Sequence, residues 1–162
     1  MKNIQYEELD PYLQVALDEA MRALKNAYNP YSKFYVGACL LSMDRKRYVT
    51  GTNFENAAYS STICAERTAV VNANTQGIRH FKSIAIIARG ENFDTTEVTG
   101  PCGSCRQVLY EVSQISNCDL EIILSTTKKD KIVVTSIKEL LPLGFGPSDL
   151  GIDIKKYQSM EE

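Results

Sequence analysis

Three cysteines in two short stretches are the residues best suited to chemistry. Cys64 is followed by Glu66, and Cys102 and Cys105 lie together in a Pro-Cys-Gly-Ser-Cys stretch. Thiolates are soft ligands that suit zinc, and a catalytic zinc takes three protein ligands and keeps one position open for water. The three thiols would fill three positions, and Glu66 would be a carboxylate near the activated water without being a ligand. The pattern therefore predicts a catalytic zinc site.

The other interpretations of these cysteines need features that the sequence does not show. A structural zinc ribbon needs a second Cys-x-x-Cys pair, and a redox-active dithiol needs a thioredoxin-like context. The chain has five cysteines, so they cannot all be paired within one chain, and no signal peptide is predicted. We interpret the remaining two, Cys39 and Cys118, as core or surface thiols.

The predicted zinc site makes two physical demands on its surroundings. On a regular helix, residues two positions apart point to nearly opposite sides. We therefore expect Cys64 and Glu66 at a helix start, where side chains can reach beyond the helix end. Three thiolates around a divalent cation leave one net negative charge, which weakens the metal as a Lewis acid. Helix N-termini and the guanidinium of Arg67 are the expected compensation.

The elements that must position these residues follow from apolar periodicity and from Pro and Gly breaks. Helices are predicted over 7–28, 62–76 and 102–116, with a short helix capped by Ser136, and strands over 34–42, 48–53, 83–88, 120–125 and 131–135. Helices interspersed among strands indicate a central sheet covered on both faces. The predicted fold class is α/β, a three-layer α/β/α sandwich with a five-stranded mixed sheet.

Composition excludes several other classes of protein. The 162 residues predict a single domain over 1–162, with 151–162 as a C-terminal tail. The net charge is −2, and the basic runs at 45–47 and 128–129 fall at probable turns, so no nucleic-acid partner is expected. The first twenty residues contain five acidic side chains and no apolar core, so neither a signal peptide nor a membrane partner is expected. The expected location is the cytoplasm.

Longer motifs occur in order along the chain. They are PYS at 30–32 followed by FYVGA at 34–38, TNFENAAY at 52–59, CAERTA at 64–69, PCGSCRQ at 101–107, and LLP with FGP at 140–147. Together they resemble the cytidine deaminase family in its short, homotetrameric, three-cysteine form. The resemblance extends from about residue 8 to residue 150.

This resemblance implies a reaction and assigns roles. The reaction is zinc-dependent hydrolytic deamination of cytidine and deoxycytidine to uridine and deoxyuridine, with release of ammonia, as a step in pyrimidine salvage. Cys64, Cys102 and Cys105 match the zinc ligands, with one zinc per subunit. Glu66 matches the group that shuttles protons while zinc-activated water attacks C4 of the base.

The resemblance also assigns a nucleoside pocket. Asn53 and Glu55, which share one face at a strand end, match the residues that bind the sugar 3′-hydroxyl. The base would be lined by the backbone of Ala65 and Cys102, the carbonyl of Gly100 and the ring of Phe34. Phe145, between two glycines, would reach the pocket of a neighbouring subunit, with Tyr59 near that interface. The expected assembly is a homotetramer with shared active sites.

Other functions share parts of this pattern. A deaminase acting on a different small substrate would not need the Asn53 and Glu55 pair, and a polynucleotide-editing deaminase would be expected to carry a basic surface. A structural zinc module would leave Glu66 and the open ligand position without a purpose. Turnover of cytidine by the wild type and by a Glu66 variant separates these alternatives.

Overall fold

The computed structural model of the chain describes residues 1–157 and contains one mixed six-stranded sheet. The strands are β1 (Lys2–Asn3), β2 (Phe34–Ser42), β3 (Tyr48–Thr52), β4 (Phe81–Gly90), β5 (Glu121–Thr126) and β6 (Ile132–Ser136). Their spatial order is β1-β6-β5-β4-β2-β3. β4 and β5 are parallel, and every other neighbouring pair is antiparallel. The predicted mixed sheet is confirmed.

Helices cover both faces of this sheet. They are α1 (Pro11–Ala23), α2 (Ala65–Thr75), α3 (Gly103–Ser116) and α4 (Ile137–Leu140). The central strand β4 shows the division of the core, because successive side chains of a strand point to opposite faces. Ala85 and Ile87 pack in the cluster that contains α1, whereas Ile84 and Ile86 pack in the cluster that contains α2 and α3. The three-layer α/β/α arrangement is therefore confirmed.

A close approach of α2 to the sheet places the start of that helix. Gly51 of β3 lies under α2, and a Cβ at this position would stand 2.3 Å from the Ala69 nitrogen and 2.4 Å from the Ala65 carbonyl oxygen. Only glycine permits this backbone contact. The contact brings the first turn of α2, which contains Glu66 and directly follows Cys64, onto β3.

The structure corrects the predicted strand count and the first helix. The sheet has six strands rather than five, because Lys2–Asn3 pairs with β6 at the edge. The helix predicted over 7–28 is limited to Pro11–Ala23 and is followed by a 3₁₀ turn over Leu24–Asn26. Asp10 begins the helix by accepting a hydrogen bond from the Tyr12 amide, and proline occupies the first helical position.

Other predicted boundaries differ by one or two residues at strand ends and somewhat more at the start of α2. Gly77 ends α2 with a positive φ of 72°, and Ser136 caps α4 by accepting a hydrogen bond from the Glu139 amide at 3.4 Å. The predicted tail lies partly outside the described residues, which end with a 3₁₀ turn over Ile154–Tyr157. Among the helices that the structure describes, none is both long and apolar enough to cross a membrane.

Candidate metal centre and active site

The three predicted zinc ligands converge at the starts of two helices. Cys64 directly precedes α2 and Cys102 directly precedes α3, each with extended backbone, while Cys105 lies one turn into α3 and is buried. The Sγ atoms of Cys64 and Cys102 are 3.9 Å apart, and those of Cys102 and Cys105 are 3.5 Å apart. All three sulfur atoms lie within 4.8 Å of one another.

These distances fit a tetrahedral zinc site. A Zn–S bond of about 2.3 Å in tetrahedral geometry places neighbouring sulfur atoms about 3.8 Å apart. Cys64 and Cys102 are the N-cap residues of α2 and α3, where the positive end of a helix dipole favours thiolates. The donor set, the spacing and the local field therefore all suit zinc.

Glu66 is the carboxylate nearest in sequence to this cluster, and its side chain is almost fully buried, with 4% exposure. Burial raises the pKa of Glu66 above its ordinary value, and the nearby Cys64 acts in the same direction. Residues two positions apart on a helix would point to opposite sides, but Cys64 lies outside α2 and Glu66 is the second residue of that helix. The extended backbone at Cys64 removes the requirement that the two side chains point to opposite sides.

Arg67 lies beside the thiols as the charge argument expects. Its Nη2 donates to the Thr62 carbonyl at 3.0 Å and to Cys64 Sγ at 3.7 Å. The thiol of Cys105 and then the guanidinium of Arg67 lower the pKa of Cys64 to about 5. The Cys64 sulfur in turn raises the pKa of Cys105, because one charge shared between close thiols opposes a second. Arg67 thus supplies positive charge to the cluster.

Asn53 continues the pairing of β3 beyond the end of that strand. Its Oδ1 accepts from the Val36 amide at 2.9 Å, and its Nδ2 donates to the Phe34 carbonyl at 2.8 Å. The side-chain amide therefore takes the place of a backbone partner for the first residues of β2. This contact with the strand that carries Phe34 was not predicted from sequence.

Glu55 is held in a fixed position by the turn before β2. Its Oε2 accepts from the backbone amides of Tyr31 at 2.9 Å and Ser32 at 3.1 Å. Burial opposes ionisation of Glu55, but the hydrogen bonds from Ser32 and Tyr31 outweigh it and lower the pKa. That these turn amides hold Glu55 was not predicted from sequence, although the Pro-Tyr-Ser sequence at 30–32 was the available signal.

The remaining predicted pocket residues differ in exposure. Ala65 is fully buried at the start of α2, Phe34 is half-buried at the start of β2, and Gly100 is exposed just before the second cysteine stretch. Tyr59 is 73% exposed and meets the Tyr31 ring edge-on, with centroids 5.6 Å apart. Phe145 is 57% exposed on a segment held against α3.

The remaining thiols and the single histidine lie in structural positions. Cys39 is buried in the core of β2, and burial raises its pKa to about 12. Cys118 follows α3, and its thiol donates to the Phe81 carbonyl at 3.4 Å. The carbonyl of His80 accepts from the Met43 amide beside the sheet.

Comparison with known proteins gives consistent matches. Residues 11–120 match the family model described as the cytidine and deoxycytidylate deaminase zinc-binding region. A cytidine deaminase of Sporosarcina psychrophila is 45% identical over 132 residues, which is 82% of this chain and 90% of that protein. A probable cytidine deaminase of Dictyostelium discoideum is 37% identical over 139 residues, covering 85% of this chain and 86% of that protein.

Solved structures agree with the sequence matches. Cytidine deaminase from Burkholderia pseudomallei superposes with a TM-score of 0.71 at 38% identity, covering 81% of this chain and 97% of that chain. Cytidine deaminase from Mycobacterium tuberculosis gives a TM-score of 0.67 at 34% identity, covering 85% and 99%. Fold and thiol cluster thus define a zinc-binding deaminase site with one zinc ion per subunit. The chain belongs to the cytidine deaminase family.

Proposed function

We propose that this protein deaminates cytidine and deoxycytidine to uridine and deoxyuridine with release of ammonia, acting in pyrimidine salvage in the cytoplasm. The observation that carries the proposal is the placement of Glu66, a buried carboxyl, at the start of α2, the helix that directly follows Cys64 of the three-thiol cluster. A structural zinc takes four protein ligands and needs no acid, whereas three thiols leave one position open for water. The buried acid supplies the proton-transfer group that a hydrolytic reaction needs.

The zinc held by Cys64, Cys102 and Cys105 supplies, when bound, a Lewis acid with one open position for activating water. Glu66 accepts the proton that the attacking water loses and delivers it to N3 of the base. It then takes the remaining proton of the hydroxyl group added at C4 and gives it to the amino group, which leaves as ammonia when the C4–N bond breaks.

The sugar of the nucleoside binds at the end of β3. Asn53 and Glu55 are two residues apart there, and each is held in a fixed orientation by backbone groups of the segment 31–36. The Asn53 amide nitrogen has a second N–H and Glu55 has a second carboxylate oxygen, so both can also bond to a sugar hydroxyl. An analogue that lacks the hydroxyl would leave this capacity unused, and a buried site of this kind discriminates strongly. The base is lined by the backbone of Ala65, the Gly100 carbonyl and the Phe34 ring.

We propose further that the working form is a homotetramer with shared sites. Tyr59 and Phe145 are large aromatic side chains left 73% and 57% exposed, although burial of such a ring contributes about 1.5–3 kcal/mol. A neighbouring subunit would cover them, and Phe145 would stack on the base bound next door. A size measurement by light scattering at several protein concentrations tests the assembly, and a monomer with full activity would contradict it.

Substitution of Glu66 tests the proposed chemistry. Glu66→Gln keeps the shape of the side chain and removes the proton carrier, so we expect turnover of cytidine to fall by about 10²–10⁴-fold. Bound zinc, measured by atomic absorption, should stay at one per subunit. Glu7→Gln, an identical change at an exposed site, should leave turnover unchanged.

The measurements of turnover and of zinc content can overturn the proposal in three ways. Wild-type protein that carries zinc yet releases no ammonia from either nucleoside would exclude the assigned reaction. Near-normal turnover by Glu66→Gln would remove Glu66 from its assigned role, and loss of zinc in that variant would instead place the carboxylate among the ligands.

A further inference from the structure

The outer face of α3 holds the segment that presents Phe145. Gln107 Nε2 donates a hydrogen bond of 2.7 Å to the Phe145 carbonyl oxygen. The ring of Tyr110, one turn further along α3, packs between the two glycines that flank Phe145. A Cβ on Gly144 would lie 2.8 Å from this ring, and a Cβ on Gly146 would lie 2.9 Å from it. The segment is therefore fitted closely to two side chains of α3.

These contacts fix the backbone at Phe145 and leave its ring outside the core. The Phe145 ring is 57% exposed, and the neighbouring Leu143 is fully exposed. On the far side, Asp149 Oδ2 accepts from the Gly146 amide at 2.7 Å and closes the following turn. A segment held by specific backbone contacts on both sides of an exposed aromatic ring presents that ring outward in a defined direction.

Arg106, the residue next to Gln107 near the start of α3, ties this helix to the cysteine stretch. Arg106 Nε donates to the Pro101 carbonyl at 2.9 Å, directly before the ligand Cys102. Its Nη1 donates to the Leu140 carbonyl at 3.1 Å, at the end of α4 and shortly before the Phe145 segment. One guanidinium thus joins the cysteine stretch to the start of the C-terminal segment.

We infer that Gln107 and Tyr110 are positioning residues, which act by presenting Phe145 to the active site of a neighbouring subunit while Arg106 ties their helix to the zinc ligands of their own subunit. This inference rests on the proposed shared site. Its consequence is that damage at Gln107 impairs the neighbour's pocket and leaves the zinc and the proton shuttle of its own subunit intact. Sequence spacing alone assigns Gln107 no such role.

The first test is Gln107→Glu, which preserves size and replaces the amide donor with an acceptor facing the Phe145 carbonyl. Gln107 is exposed, so the variant is expected to fold. Stacking of Phe145 on the bound base stabilises the ground state and the transition state equally. Loss of this stacking in the variant should therefore raise KM for cytidine about tenfold and leave kcat nearly unchanged. Hydrogen–deuterium exchange of the peptide covering 141–149 should accelerate, and zinc content should remain at one per subunit.

The matched control is Gln114→Glu, the same change seven residues further along α3. Its Cγ lies near Gly146, but the Phe145 carbonyl takes its hydrogen bond from Gln107. We expect KM to change less than twofold. Equal rises in KM for the two variants, or an unchanged KM in Gln107→Glu, would overturn the inference.

Mixed tetramers distinguish action on the neighbour from damage within a subunit. Subunits carrying Gln107→Glu are co-expressed with subunits carrying Glu66→Ala, and hybrids are purified through two different tags. The Glu66→Ala subunit contributes an intact Phe145 segment to the intact Glu66 of its partner. We expect a wild-type KM to reappear at those sites. Absence of that recovery would overturn the inference.

A parallel hybrid of Phe145→Ala with Glu66→Ala tests the premise separately. Recovery of a wild-type KM in this hybrid supports the shared site, whatever the Gln107 hybrid does. If the Phe145 hybrid recovers and the Gln107 hybrid does not, the inference fails and the proposed function stands. If the Phe145 hybrid itself does not recover, the shared site fails.

Discussion

Replacing Asn53 with alanine should destabilise the protein as well as weaken sugar binding. The Asn53 side chain is only 8% exposed and bonds to the Val36 amide and the Phe34 carbonyl at 2.9 and 2.8 Å. Alanine would leave both backbone groups of β2 without a partner, and an unsatisfied polar group costs about 1–3 kcal/mol. For two such groups we expect the free energy of unfolding to fall by about 2–6 kcal/mol.

Urea denaturation at a fixed protein concentration measures this loss, and the midpoint should shift while the slope stays constant. Asn72→Ala is the matched control, because Asn72 is exposed and its amide donates to the Thr50 carbonyl at 3.0 Å. Alanine favours a helix more than asparagine does, so the control should change stability by less than about 0.5 kcal/mol. Equal stability of Asn53→Ala and the wild type would refute the assigned contact with β2.

Two further substitutions test the support of the site. Gly51→Ala would place a Cβ 2.3 Å from the Ala69 nitrogen. We therefore expect the free energy of unfolding to fall by about 3 kcal/mol or more and zinc binding to be reduced. Gly103→Ala is the control and should be tolerated, because a Cβ there meets nothing within 4 Å. The pKa of Glu55 is lowered from its ordinary value of 4.5, so the ionised carboxylate stabilises the fold at pH values above 4.5. This stabilisation is lost as the pH falls and the carboxylate is protonated. As the pH is lowered, the melting temperature of Glu55→Gln should therefore fall less steeply than that of the wild type. An unchanged dependence of melting temperature on pH would contradict the hydrogen bonds assigned to that carboxylate.

Much of the fold was predictable because its signals are local. The strand over 34–42 agrees with the observed Phe34–Ser42, and both cysteine stretches lie at helix starts as expected. The edge strand Lys2–Asn3 was missed because two residues carry no periodicity, and their pairing depends on β6 far along the chain. The first helix was predicted too long because an apolar pattern does not show where a helix changes to a 3₁₀ turn.

Residue type and short spacing alone determined the ligand set and the adjacent acid, because the affinity of thiolates for zinc is a property of the side chains. Only the tertiary structure decided that Cys64 and Cys102, 38 residues apart, come within 3.9 Å. The hydrogen bonds from the Asn53 side chain to β2 and the contacts of α3 with the Phe145 segment also depend on packing between distant segments. Such contacts leave no periodic trace in the sequence, since they are set by how the helices and the sheet fit together.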